Sequence, residues 1–371
     1  MTASAYIGRY ATSRRLGPAA RHFLARPYTH RDICRVAILY EPNRISYAQV
    51  YPFVFYADAF ARKYDVELRF FSTEMIDTLD FNKFDRVILQ FWFTRNAAAF
   101  ENVFEKSAAS SAELVAFLDS FAHNDLRLAS LLDGHIRFYL KKSLFRAQDQ
   151  YRQPTLGDTN LTDYYNTAYH LEDRQVQWVI PNGFLSKLRL SPNFFTDPNL
   201  IQLFQTKRVD DLLAQPRDID LHSRLGAKGS PWYTRMREHA LQEVAALPDL
   251  RCASTGMVNP RQYQAELSRS RICLSPFGYG ELCWRDIEAI ANGAVLLKPD
   301  MSHLTTLPDL YEAGITYIPI SWDFADLQEK VRWVLTHPAE TDAIIREAYR
   351  RICKYLEDQQ FVDDMQFLFQ E

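Results

Sequence analysis

Ser275-Pro276-Phe277-Gly278-Tyr279-Gly280-Glu281-Leu282-Cys283-Trp284-Arg285-Asp286-Ile287-Glu288-Ala289-Ile290-Ala291-Asn292-Gly293-Ala294-Val295-Leu296-Leu297 is the most informative segment of this chain. The residues just before it, Arg271-Ile272-Cys273-Leu274, form a short apolar run of the kind a buried strand shows. Gly278 and Gly280 allow a tight turn and close approach of the backbone to a ligand. A helix is expected over 282–292, with Gly293 at the left-handed cap position. Ala294 to Leu297 then reads as the next buried strand. A helix N-terminus at a strand's carboxyl end suits an anion, because N–H groups and the helix dipole point there.

Arg285 and Glu288 are three apart and share one face of that helix. A guanidinium can grip a diphosphate as a fork, and a carboxylate can accept from ribose hydroxyls. Here the sequence resembles the donor-binding segment of GT-B glycosyltransferases, especially the group-1 and exostosin-like kinds. The match is carried by Arg285, by Glu288-Ala289-Ile290-Ala291-Asn292-Gly293 and by Ala294-Val295. Many retaining members carry two glutamates with seven residues between them. Here Gly280 stands eight before Glu288 and Glu281 is one place off. The resemblance therefore leaves retaining or inverting chemistry open. It covers 215–335 well and the first half by architecture alone.

The resemblance implies an α/β fold of two Rossmann-like domains whose parallel sheets face a cleft. The expected boundaries are a basic arm at 1–31, an acceptor-side domain at 32–200, a nucleotide-sugar-binding domain at 201–355, and a helix at 356–371 that returns to the first domain. The nucleotide-sugar is a co-substrate, with no other cofactor and no metal. The acceptor is expected to be a glycan or lipid-linked glycan in cell-surface polysaccharide synthesis, such as lipopolysaccharide or capsule. Two alternatives use other chemistry: a nucleotide-sugar epimerase or hydrolase of the same fold, and a non-catalytic glycan- or nucleotide-binding protein.

Composition agrees with two ordinary cores. The chain has 371 residues, 47% of them hydrophobic and 14% aromatic, and a formal net charge of −3. That charge gives no nucleic-acid signal. Five cysteines without CxxC or Cys/His spacing suggest neither zinc nor a disulfide framework, and a reducing compartment is expected. No apolar run is long enough for a transmembrane helix. A cytoplasmic location follows as the expectation. Arg9, Arg14, Arg15, Arg21, Arg26 and Arg31 precede any acid. That arm is read as solvated, or as a peripheral contact with an anionic membrane face. Neither a GxGxxG after the first strand nor a GxxxxGK[ST] occurs, which argues against NAD-dehydrogenase and P-loop chemistry.

In the first half, strands are expected at 35–40, 66–71 and 84–93, with a helix at 47–63. The loops at 41–46 and 94–96 would then lie at a cleft rim. A helix is expected at 109–124, a fourth strand at 126–132, and a basic, aromatic helix at 136–150. The turn-rich stretch 151–173 reads as a long functional loop. A last strand of the first domain is expected at 175–180, and the interdomain connection near 185–217. In the second half, strands are expected at 219–223, 250–254 and 316–320, with helices at 232–247, 262–268, 324–335 and 339–370. Arg224 and Lys228 fall in the loop after the strand at 219–223, and similar enzymes keep an Arg and a Lys there for donor phosphates. The expected donor-binding set is Arg224, Lys228, Gly278, Tyr279, Gly280, Glu281, Arg285 and Glu288. An inverting enzyme also needs a base for the acceptor hydroxyl. Asp133 and His135, at the end of the strand expected at 126–132, and Glu41 are the candidates.

Overall fold

The computed structural model describes residues 33–191, 197–254 and 256–370. The basic arm therefore lies outside the described residues. The first half contains β1 (Cys34–Tyr40), β2 (Val66–Ser72), β3 (Arg86–Leu89), β4 (Glu113–Leu118), β5 (Phe138–Lys141), β6 (Ser143–Phe145), β7 (Thr155–Leu156), β8 (Gln175–Val176) and β9 (Leu188–Leu190). Six of these form one sheet in the order β2-β1-β3-β4-β5-β9, every neighbouring pair parallel. Val36, Ala37, Ile38 and Leu39 are wholly buried on both faces of β1, as a helix-covered parallel sheet requires.

The second half contains β10 (Ile219–His222), β11 (Cys252–Ala253), β12 (Ser270–Leu274), β13 (Val295–Pro299), β14 (Leu304–Thr306) and β15 (Ile318–Ile320). Its sheet runs β11-β10-β12-β13-β15, again all parallel. Both sheets are wound outward in two directions from their first strand. Each therefore has a crevice at its carboxyl edge, between β1 and β3 and between β10 and β12, where open α/β sheets bind ligands.

Two features tie the halves together. β6 and β14 pair antiparallel across the cleft, Phe145 opposite Leu304 and Ser143 opposite Thr306. The helix Pro338–Glu357 is followed by a short helix, Gln360–Asp364, that lies back on the first half. Phe361 is buried against Phe53 at 5.0 Å and Phe60 at 5.8 Å between ring centroids. Phe369 meets Phe60 at 5.1 Å, and the Tyr56 and Tyr64 hydroxyls donate to the Leu356 and Val362 carbonyls at 3.1 and 3.0 Å. The architecture is GT-B: two Rossmann-like sheets facing a cleft, with the C-terminal helix crossing back.

Several expectations for the middle of the first half are corrected. The stretch 109–124 is not a helix; it holds β4, with the helix Ala97–Ala108 before it. The strand expected at 126–132 is instead a loop ending in the short helix Ala129–Leu132. The basic helix expected at 136–150 is β5, β6 and a turn of 3-10 helix. Lys141, within the expected basic helix, is buried because its ammonium meets Asp119 at 2.6 Å and a carbonyl of His123 at 3.2 Å. The strand expected at 175–180 is β8, which pairs only with β7, and the sheet is completed by β9.

Candidate functional site

The helix Trp284–Ala291 starts at the mouth of the crevice between β10 and β12. Its first turn is fixed by Asp286. One Asp286 oxygen accepts from the Cys283 N–H at 3.1 Å and from the Tyr311 hydroxyl at 2.8 Å; the other accepts from Ser275 Oγ at 2.5 Å. Lys298 Nζ, from β13, lies 3.2 Å and 3.3 Å from the two carboxylate oxygens. Both side chains are 0% exposed. Strand, helix start and the following loop are thus locked to one buried ion pair. Gly293 closes the helix at φ 67° with its left-handed cap, as expected.

Arg285 does not pair with Glu288. Its Nη2 donates to the Arg224 carbonyl at 2.9 Å, and its buried Nε has no hydrogen-bond partner. Glu288 accepts from the Tyr263 hydroxyl at 3.1 Å, and burial raises its pKa. Behind them lies His222, at the end of β10, with neither ring nitrogen hydrogen-bonded. Burial, with help from the Arg285 charge, pushes His222 down to about 4. The Arg224 guanidinium is already held by Glu266, two bonds of 2.8 Å each, and this contact lowers the Glu266 pKa. Lys228 is exposed at the tip of the same loop.

The glycine loop after β12 spans the cleft. Tyr279 stacks on Tyr233 at 4.7 Å and its hydroxyl accepts from the Ser230 N–H at 3.1 Å. Gly278 donates its N–H to the Gly280 carbonyl at 3.0 Å, closing the turn. A Cβ at Gly280 would lie 2.0 Å from the carbonyl oxygen of Ala122, so two backbones touch across the cleft here. Glu281 is 1% exposed and its Oε1, which has no hydrogen-bond partner, faces His303 Nε2 at 3.6 Å.

The first half contributes different residues from those expected. Glu41 does sit at the rim, at the end of β1, but Arg95 grips it at 2.6 and 3.0 Å. Asp133 and His135 precede β5 and so lie at the amino edge of the sheet, opposite the cleft. Asp133 pairs with Lys187 at 2.8 Å, and His135 stacks on Phe104 at 3.7 Å. The group that does reach the cleft is His123, in the loop after β4. Its ring lies 6.1 Å from that of Tyr279, its Nδ1 is 3.7 Å from Asp158, and burial lowers its pKa. Arg44, first residue of the helix Arg44–Phe55, lies over the Trp284 ring at 4.9 Å.

Residues 206–365 match the family model described as glycosyl transferase-like. The second half of the chain is glycosyltransferase-like. No curated protein matches the chain. Among solved structures, a glycosyltransferase from Rickettsia africae ESF-5 is similar at 10% identity, covering 92% of this chain and 100% of that one, TM-score 0.47. A UDP-GlcNAc 2-epimerase from Neisseria meningitidis bound to UDP-GlcNAc is similar at 11%, covering 87% and 100%, TM-score 0.43. A lipopolysaccharide outer core galactosyltransferase in its apo form is similar at 11%, covering 88% and 99%, TM-score 0.44.

Of the expected set in this half, Arg285 touches Arg224, Gly278 and Gly280 close one turn, and Lys228 stays exposed at the tip of its loop. Sequence reading missed Asp286, Lys298, His123 and Arg44. Two of these left a signal. Cys283-x-x-Asp286 has capping-box spacing, and a lysine inside Val295-Leu296-Leu297-Lys298-Pro299 demands a buried partner. Among the described residues no helix is long and apolar enough to cross a membrane.

Proposed function

We propose that the protein is a glycosyltransferase that moves a sugar from a nucleotide-activated donor to a glycan acceptor in cell-surface polysaccharide synthesis. The observation that carries this reading is the locked start of the helix Trp284–Ala291, with the Arg285 guanidinium beside it, in the crevice of a glycosyl transferase-like sheet. Negative charge grows on the leaving nucleotide as the glycosyl–phosphate bond breaks. Preorganised donors that need not reorient are the most effective stabilisers of such charge. Arg285 fills that role, with Lys228 and Arg44 as nearby cations. Glu288, its pKa raised, is suited to the ribose hydroxyls. Direct displacement at the anomeric carbon also requires a base for the acceptor hydroxyl. His123 is the best-supported group, because burial favours its neutral form and it faces the cleft.

The test is thermal unfolding with UDP, GDP, ADP, CMP and their sugar conjugates. One nucleotide family should stabilise the protein, by about 2.7 kcal/mol at a hundredfold excess over Kd. Arg285→Ala, still folded, should lose most of that shift. Absence of any nucleotide response, or an unchanged response in Arg285→Ala, would refute the donor site.

A further inference from the structure

A second cavity, of about 630 Å³, lies beside the donor crevice. It is lined by residues from the 150–168 stretch and Trp178 on one side and by Asp300, His303 and Trp322 on the other. These last three follow β13 and β15, and β13 neighbours β12, so the cavity adjoins the β10–β12 crevice; His303 Nε2 faces Glu281 Oε1 at 3.6 Å. Its volume is within the roughly 300–1,000 Å³ of small-molecule sites. Tyr164, Trp178 and Trp322 give it aromatic walls. An aromatic face offers apolar area to the C–H face of a pyranose, while its polar rim stays wet.

The charge of the lining is one-sided. Asp125, Asp158, Asp163 and Asp300 line the cavity, and no Lys or Arg is among its described lining residues. The compensating cations lie behind the wall: Arg127 pairs with Asp125 at 2.5 Å and Asp158 at 3.0 Å, and Arg174 with Asp158 at 2.9 Å. Asn124, 3% exposed, accepts from the Tyr151 hydroxyl at 2.8 Å through Oδ1, so two lining side chains hold each other in place.

We propose that this cavity binds an uncharged saccharide as the acceptor, through its aromatic walls and the carboxylates that line it. The carboxylates take sugar hydroxyls and repel uronic acids and phosphate-bearing sugars. The word acceptor rests on the glycosyltransferase reading; the binding chemistry stands on the cavity alone.

The test is ligand-observed NMR on the full chain with methyl glucoside, methyl galactoside, methyl N-acetylglucosaminide, lactose and chitobiose, against glucuronate and glucose 6-phosphate. At least one uncharged sugar should bind, and the anionic ones at least ten times more weakly. Trp178→Ala should weaken that sugar tenfold or more while leaving the nucleotide-induced thermal shift unchanged. Thr167→Arg, on the exposed rim of the cavity, should narrow the discrimination against anionic sugars. Binding by none of the uncharged sugars, equal binding of the anionic ones, or indifference to Trp178→Ala would overturn the proposal. A missing nucleotide response in the wild type would instead refute the donor site, and the sugar result would stand.

Discussion

Breaking the buried Asp286–Lys298 pair should do more damage than any surface change near the β10–β12 crevice. Both side chains are fully enclosed, with nitrogen–oxygen distances of 3.2 and 3.3 Å. Asp286→Ala leaves the Lys298 ammonium with the Ser275 carbonyl at 3.5 Å and the Phe277 ring at 5.2 Å. It also strips partners from Ser275, Tyr311 and the Cys283 N–H. Lys298→Met keeps the aliphatic stem and leaves a carboxylate that still has three donors. Removing one partner of a buried pair costs about 3–5 kcal/mol. Asp286→Ala should fall at the upper end and Lys298→Met at the lower. That is roughly two to three and a half powers of ten in the folding equilibrium. The double variant should cost less than the sum of the singles by about 0.5–3 kcal/mol, since neither charge is then abandoned. Urea unfolding followed by tryptophan fluorescence measures all three. Single variants within about 1 kcal/mol of wild type, or strict additivity in the double variant, would refute the reasoning.

Two other expectations follow from the site. Gly280→Ala must separate two backbones that now touch, since its Cβ would lie 2.0 Å from the Ala122 oxygen. It should lower donor affinity at least tenfold with little change in the secondary structure of either half; unchanged nucleotide binding would show that the contact is not maintained in solution. His222 has a folded pKa of about 4 against 6.5 for an ordinary histidine, so the unfolded chain binds the extra proton between those values. Its stabilising contribution is therefore complete above pH 6.5 and is lost as pH falls toward 4, by about 3 kcal/mol in all. Comparing urea midpoints of wild type and His222→Phe from pH 7 to 4 isolates it, and parallel pH curves would show that His222 does not titrate this way.

The second half was legible because its strands are continuous apolar runs and its helices carry caps. Asn259 before Pro260 and Gly293 after Asn292 mark helix ends as physical chemistry requires. The first half was harder between 109 and 180. There the strands are short, and one of them, β5, carries Lys141 into the core by pairing it with Asp119. A charged residue inside a strand defeats a reading that assigns charge to solvent. One error then produced another. Reading 126–132 as a strand put Asp133 and His135 at a carboxyl end, whereas they lead into β5 from its amino end. Hiding β4 inside a supposed helix concealed His123. Arg224 was placed correctly in its loop, but its partner Glu266 lies 42 residues away and no local pattern reveals it.

The returning C-terminal segment bears on how the molecule is made. Phe361 and Phe369 complete the layer that covers Phe53 and Phe60, so the covering of the first sheet is contributed by two segments some three hundred residues apart in the chain. A ribosome delivers residues 44–64 long before residues 361–369. Throughout synthesis of the second sheet the nascent first sheet must carry an uncovered aromatic face, the kind of surface that chaperones bind and that aggregates seed from. The second half can mature as it emerges, while the half that arrives first is finished last.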